Sequence, residues 1–422
     1  MLDSLNPRHV LRRLFDEALL AADPYKATAN YLPKPPAGKT LVVGAGKAAA
    51  LMAKALEVNW PGSLDGLVIV PHGHGLQKGN ELKQINVVEA SHPIPDEAGE
   101  NAASEILQRS RALRDGDLMI TLISGGGSSL MALPTHGIRL EDKKWINRKL
   151  LFSGATITEM NTVRRHLSLI KGGRLAAAAY PARTETLIIS DVPGDELGIV
   201  ASGPTMPDRT TGGDAIAILK KYEISAPQEV VSVLEGPNGE THKPGDPLLL
   251  KSNARLILRS QDALNAAKRE AKSLGINPID LGDNLEGEAR ILGQEHARLA
   301  QALSNEGKPC VLLSGGETTV TKTGEGIGGP NGEYLLAMAV ELEGNASVYA
   351  LAADTDGLDG GGMNAGAVID PTTLKRSVKL NMNAWGMLKD NNSFAFFDNL
   401  GDLISTGPTL TNLNDFRAVL IT

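Results

Sequence analysis

LMITLISGGGSSLMALP, residues 118–134, passes from an unbroken apolar run into three glycines and two serines and then turns apolar again. A strand that is apolar at every position must be covered on both faces, which is the pattern of a buried parallel strand. The glycines and serines sit where that strand gives way to a helical pattern, so they form a strand-to-helix turn. There the first amides of the new helix point at whatever occupies the turn. Glycine tolerates positive φ and lets a ligand approach the peptide plane, so successive amides can cradle an anion. Phosphate or carboxylate is the natural occupant of Ser124, Gly125, Gly126, Gly127 and Ser128. Helix capping is the plainer alternative, although capping needs only serine.

Working outward, similar apolar runs occur at 40–43 (TLVV), 66–70 (GLVIV), 86–89 (NVVE) and 186–190 (TLIIS), separated by Ala-rich helical segments. That alternation predicts an α/β fold with a parallel sheet. Residues 226–250, APQEVVSVLEGPNGETHKPGDPLLL, are dense in Pro and Gly and suit a connection between compact units. Two domains are therefore expected, 1–240 and 250–422. Strands at 254–258, 309–313 and 347–352 are assigned to the second, and packing of the last strand back on the first domain is left open. Two phrases recur across the boundary: SGGGSS at Ser124 is echoed by SGGETT at Ser314, and SGPT at Ser202 by TGPT at Thr406. Their unequal offsets argue against a solenoid.

The chain has 422 residues, 42% hydrophobic and 22% charged, with a net charge of -7. An acidic chain lacks the basic surface a general nucleic-acid binder needs, so any anion site must be locally basic. The single Cys310 lies in an apolar run, where a buried thiol is expected, and a cytoplasmic location is expected with it. The first helix spaces Val10, Leu11, Leu14, Phe15 and Leu19 on one face with charges between, unlike the apolar core of a signal peptide.

LVVGAGKAAALMAKAL places Gly44, Gly46 and Ala49 in the G-x-G-x-x-A form of a dinucleotide fingerprint. A nicotinamide site also wants an acid at the end of the next strand, and GLVIVPHGHG has none there. A Walker loop is excluded by spacing. Lys47 is informative because a cation in a helix's first turn opposes the dipole unless an anion compensates it. EMNTVRRHLSLIKGGRL is the densest basic run, and the seven-residue spacing of Arg164 and Lys171 predicts one helical face. Carboxylates cluster in IISDVPGDE (Asp191, Asp195, Glu196) and ALAADTDGLDGGG (Asp354, Asp356, Asp359). Hard oxygens on Gly-rich turns suit Mg²⁺, with Asx turns as the alternative. His72, His74 and His92 lack zinc-like spacing, and Ser128 lacks the elbow of a serine hydrolase.

Taken together, GAGKAAALMAKAL, SHPIPDEAG, LISGGGSSL, EMNTVRRHLSLIKGGRLA, ISDVPGDELGIVASGPT, LGDNLEGEAR, LLSGGETTVT, AADTDGLDG and GDLISTGPTLTNLND resemble the class II glycerate kinases, the glycerate 2-kinases with a C-terminal MOFRL domain. The resemblance implies a Rossmann-like N-terminal parallel sheet, a smaller α/β MOFRL domain and an active site between them. It implies transfer of the γ-phosphate of ATP to the 2-hydroxyl of D-glycerate, with Mg²⁺ required. Expected partners are D-glycerate and ATP, without nucleic acid or membrane, for a monomer or homodimer. The older family label, hydroxypyruvate reductase, is the alternative, along with a kinase of a related hydroxy acid.

On this basis Lys47, Arg164, Asp191 and Asp356 are the expected catalytic residues. Lys47 would clamp phosphate or substrate, and Arg164 would receive the substrate carboxylate. Asp191 or Asp356 would hold Mg²⁺ or orient the hydroxyl, with Asp354 a further candidate ligand. Gly44, Gly46, Lys171, Ser314, Gly315, Gly316 and Glu317 join the 124–128 loop as expected binding residues. One departure stands out: family members commonly read GGRN where this chain reads GGPNGEY, so Pro330 occupies the place of an arginine.

Overall fold

A computed structural model of the chain describes residues 6–192, 194, 196–307 and 309–422. Asp195, one of the acids singled out above, lies outside the described residues. The chain divides into two units, one built on residues 24–258 and the other on 259–422 together with the first helix.

In the first unit the apolar runs become β1 (Thr40–Ala45), β2 (Asp65–Pro71), β3 (Ile85–Ala90), β4 (Leu118–Ile123) and β5 (Arg183–Ser190). Neighbours among these five pair parallel. β6 (Ser252–Arg259) completes a six-stranded sheet of order β3-β2-β1-β4-β5-β6. This is the Rossmann-like order, in which the sheet reverses direction between β1 and β4. Ligands of such sheets bind beyond the carboxyl ends of the strands at that reversal. All six residues of β1 and of β4 are buried, as their continuous apolarity requires. The core behind them holds Val43, Leu67, Ile69, Met119, Ile123, Leu130 and Ile188. The run at 254–258 belongs here as part of β6, not to the second unit. After the Pro/Gly-rich segment the chain returns to the β5 edge, where the Thr184 amide donates to Lys251 O at 2.9 Å.

The second unit is a mixed sheet of seven strands, six on the path β12-β11-β10-β13-β9-β7 and the seventh, β8, paired to β9 off that path. Its strands are β7 (Asn277–Asp280), β8 (Leu285–Glu288), β9 (Cys310–Thr319), β10 (Val348–Asp354), β11 (Gly366–Ile369), β12 (Leu403–Ile404) and β13 (Asp415–Ile421). The last strand, β13, lies within this sheet, antiparallel to both β10 and β9. Helices Ala289–Ser304 and Pro330–Leu342 cover one face through Ala297, Tyr334, Leu335 and Met338. Cys310 is buried.

The first helix, Pro7–Ala21, packs on this second sheet although it opens the chain. Phe15 meets Phe416 of β13 with ring centroids 5.6 Å apart. Arg8 is anchored by Asp402, with Nη1 2.7 Å from Oδ1, and by Asp370. An amphipathic face needs an apolar partner, and the Phe416 side of β13 provides it. Among the described residues, no helix is long and apolar enough to cross a membrane.

Candidate active site

At the carboxyl ends of β1 and β4 two loops are stapled together. The Lys47 amide donates to Gly125 O at 2.9 Å, and the Ala48 amide donates to Ser124 Oγ at 3.0 Å. The Ser124 hydroxyl is thus buried and engaged in holding the β1 loop, so its role is architectural. Gly44 sits inside β1, where a Cβ would strike Leu122 O, and a Cβ on Gly46 would strike Ser124. These two glycines let the strands and loops approach one another.

The β4 loop answers the question its glycines raise. Gly126 has φ +82° with the His92 ring beside it, and a Cβ on Gly127 would lie 2.8 Å from Ala45 O and 3.0 Å from Ala201 Cβ. Among the described residues, the amides of Gly125, Gly126 and Ser128 donate to no backbone acceptor. Three such donors at the sheet reversal form a ready cradle for negative charge. Lys47 is half-buried next to it. His92 Nδ1 lies 2.6 Å from Ser129 Oγ, which ties the 91–95 turn to the loop.

Beneath the loop the basic run is arranged differently from the single helical face expected. The helix Ile157–His166 ends at its cap Leu167, four residues before Lys171, and Gly172 and Gly173 then turn the chain with positive φ. Arg164 and Lys171 are nonetheless linked, through a hydrogen-bonded chain. Arg164 Nη1 donates to Asn161 Oδ1 at 3.4 Å, and Ser202 Oγ donates to the same oxygen at 3.0 Å. Ser202 Oγ lies 2.9 Å from Ser128 Oγ, and Lys171 Nζ reaches Ser128 O at 2.7 Å and Ser128 Oγ at 3.0 Å.

Lys171, Asn161 and Ser202 are buried, and Ser128 is half-buried. Burial pushes the Lys171 amine well below the ordinary lysine range, and Lys143, Arg164 and Arg165 add to the effect. Lys143, also buried and bonded to Leu167 O at 2.9 Å, is pushed down to about 7, chiefly by burial. Arg164 is held by the neutral amides Asn147 and Asn161, and burial lowers its pKa. Such uncompensated cations are costly inside a protein and favour an incoming anion.

Lys143, Asn161 and Ser202 were missed from sequence. The one available signal was the SGPT phrase at Ser202. Its hydroxyl is aimed by a backbone feature no pattern reveals, since Ala201, Ser202 and Gly203 take positive φ of 51°, 60° and 59° in succession. Asp191, which follows β5, is half-buried.

In the second unit the SGGETT phrase at Ser314 is strand, unlike its echo at Ser124. Ser314, Gly315, Gly316 and Glu317 continue β9, with Ser314 opposite Arg417 and Gly316 opposite Asp415 of β13. Glycine is needed there because a Cβ on Gly316 would meet the backbone of Leu285 in β8. Ser314 is buried and Glu317 exposed. The acidic turn uses its carboxylates as Asx turns: Asp354 Oδ1 accepts the Asp356 amide and Asp356 Oδ1 the Leu358 amide, each at 2.8 Å. Asp359 accepts the Asn331 and Gly332 amides at 2.9 and 2.8 Å. It thereby caps the helix Pro330–Leu342, whose first residue is the departing Pro330. Among the described residues, no group of three or more His, Cys, Asp or Glu is arranged to hold a metal ion.

Two family models match the chain. A domain of unknown function (DUF4147) covers residues 10–235, and the MOFRL family covers residues 310–415. A glycerate 2-kinase of Pyrococcus horikoshii is 38% identical over 99% of this chain and 98% of its own length. A protein of Agrobacterium vitis, provisionally named a hydroxypyruvate reductase, is 47% identical over 99% of this chain and 95% of its own. The crystal structure of a glycerate kinase from Thermotoga maritima superposes with a TM-score of 0.88 at 36% identity, covering 98% of this chain and 99% of that one.

Proposed function

Because the chain belongs to the glycerate kinase family that carries a MOFRL domain, we propose that it transfers the γ-phosphate of ATP to the 2-hydroxyl of D-glycerate, giving 2-phosphoglycerate and ADP. The observation that carries this reading is the trio of amides at Gly125, Gly126 and Ser128, without a backbone acceptor among the described residues and backed by buried cations at the sheet reversal. Phosphoryl transfer asks the protein mainly for positioning and for neutralisation of charge, which such fixed donors supply.

In this reading Lys47 clamps the phosphate or substrate beside the amides, and Arg164 receives the glycerate carboxylate. A guanidinium held by two neutral amides and the Met160 thioether keeps its charge for a ligand. Mg²⁺ would be held by Asp191 or by Asp354 and Asp356, since one or two carboxylates suffice for this ion. Asp354 and Asp356 also serve the Asx turns that are the alternative use of these carboxylates. Bound there, the ion supplies charge neutralisation on the phosphates.

The reductase name would require a nicotinamide site. β2 ends in Val70-Pro71 and runs into His72-Gly73-His74, a stretch without an acid of its own, and Glu89 of β3 beside it accepts the Gly73 amide at 3.2 Å. ADP release from ATP, Mg²⁺ and D-glycerate, with 2- and 3-phosphoglycerate separated, tests the proposal. Formation of 2-phosphoglycerate supports it, whereas oxidation of NADH or NADPH with hydroxypyruvate and no ADP would replace it with the reductase.

A further inference from the structure

We propose that Ser128 Oγ receives the hydrogen of the acceptor hydroxyl during transfer and passes its own hydrogen to Lys171 Nζ, with Ser202 and Asn161 positioning Ser128. This rests on the kinase reading above, and it assigns the proton's route, which that reading leaves open.

The inference comes from what surrounds Lys171 Nζ. Its neighbours are two carbonyl oxygens, Ser128 O at 2.7 Å and Ala201 O at 3.4 Å, and one hydroxyl, Ser128 Oγ at 3.0 Å. Carbonyls only accept, whereas a hydroxyl either accepts or donates. A neutral amine is therefore satisfied by donating twice to the carbonyls and accepting the Ser128 hydrogen on its lone pair. An ammonium is satisfied equally well by donating to all three. Among the described residues, no carboxylate pairs with Nζ, and the charged groups facing it are Lys143, Arg164 and Arg165, all cations. Burial and this company favour the neutral form, and the same pocket accommodates the charged one.

Ser202 supplies the second half. Asn161 Oδ1 accepts from Arg164 Nη1 and is thereby fixed as an acceptor, so the Ser202 hydrogen points at Asn161. Ser202 Oγ then offers a lone pair to Ser128 at 2.9 Å. With Lys171 charged, the Ser128 hydrogen goes to Ser202 and the pair holds Ser128 in place; deprotonation of Lys171 then turns that hydrogen to Nζ. Ser128 itself is half-buried, and its remaining lone pair is the one assigned to the acceptor hydroxyl.

The step balances as follows. The acceptor O–H bond breaks as its oxygen bonds the γ-phosphorus and the bond from that phosphorus to ADP breaks, with ADP keeping the electron pair. The acceptor hydrogen goes to Ser128 Oγ, and the former Ser128 hydrogen goes to neutral Lys171, which becomes an ammonium. That proton returns to solvent before the next turnover.

ADP formation with D-glycerate, measured from about pH 5.5 to about 9 in wild type and in Lys171→Arg, Ser128→Ala and Ser202→Ala, tests this. Wild-type kcat/KM for glycerate is expected to rise with pH along a one-proton limb. Lys171→Arg keeps a cation that cannot take up the proton, so kcat falls on the order of 10²-fold and the limb disappears. Ser128→Ala, a small change that keeps the fold if the arginine does not fit, loses the same limb. Ser202→Ala keeps the limb while kcat falls and KM rises, as for a positioning residue. A flat wild-type profile, or a limb that survives in folded Lys171→Arg or in Ser128→Ala, overturns the route. Wild type that forms no ADP with glycerate at any pH overturns the kinase reading and this inference with it.

Discussion

Asp208 Oδ1 lies 3.0 Å from Arg165 Nη1, with both side chains buried beside the cation-rich chain under the β4 loop. The same carboxylate accepts from the Thr210 amide and hydroxyl and from Thr241 Oγ1. Burial by itself would raise its pKa, but Arg165 and the Thr210 hydrogen bonds outweigh that and hold it below the usual range. Asp208→Ala leaves Arg165 buried with Gly198 O as its remaining partner. Breaking one side of such a pair costs about 3 to 5 kcal/mol. Urea unfolding at neutral pH should show a loss of this size. Since the folded pKa is lowered, the wild-type advantage is full above the unfolded value of about 3.9 and fades as pH falls through the folded one.

Lys47 tests the proposed site without testing the fold. Its backbone amide, which the substitution keeps, bonds Gly125 O, and its side chain is only half-buried. Lys47→Ala should therefore unfold within about 1 kcal/mol of wild type. Loss of one preorganised charge at a phosphoryl-transfer site should lower kcat by about 10² to 10³-fold. Near-normal turnover would remove Lys47 from the mechanism.

β1, β2, β4 and β5 were legible because burial on both faces forces continuous apolar runs, as at Leu118–Ile123. β7 and β8 were not, since Asn277–Asp280 and Leu285–Glu288 lie half-buried to exposed and carry no such run. Gly-Ser text is ambiguous for a related reason. In Gly125–Gly127 the glycines make a turn, whereas in Gly315–Gly316 they let β8 approach β9, and only tertiary contact separates the two cases. Lys171 and Arg164 were legible as cations in an acidic chain. Their connection through Asn161 and Ser202 depends on a left-handed turn at Ala201–Gly203, and no spacing in the sequence encodes it. The amphipathic first helix shows the same limit, since the pattern of Val10, Leu11, Leu14 and Phe15 specifies a buried face but not that Phe416 covers it.

Pro330 opens the helix Pro330–Leu342 at a position where a backbone N–H has no intrahelical partner, so proline loses nothing by lacking one. The amides that matter, Asn331 and Gly332, are capped by Asp359. Pro330→Arg should therefore stay folded, with stability changed by less than about 1 kcal/mol. Thermal unfolding checks this, and KM for ATP and glycerate in the same protein then reports whether a guanidinium at 330 reaches a ligand. Unchanged constants would show that the position takes no part in substrate binding here.

Asp359 gives the fold a pH dependence of the opposite sign to Asp208. Burial pushes its carboxyl up to about 7, against the Asn331 and Gly332 amides that favour the anion, and Asp415 adds to the rise. The folded state then holds a proton that the unfolded chain releases near pH 4, so this group's contribution to stability falls as pH rises from about 4 to about 7 and is level above. Asp359→Asn cannot ionise and lacks that slope. Unfolding free energies of the two proteins, measured from pH 5 to pH 8, should converge or cross as the wild-type carboxylate charges, by up to about 2.7 kcal/mol. The direction follows from burial outweighing two amide donors. A gap between the two proteins that stays constant over this range would mean that the cap at Asn331 and Gly332 holds Asp359 ionised throughout, and that the helix at Pro330 is anchored by a full negative charge.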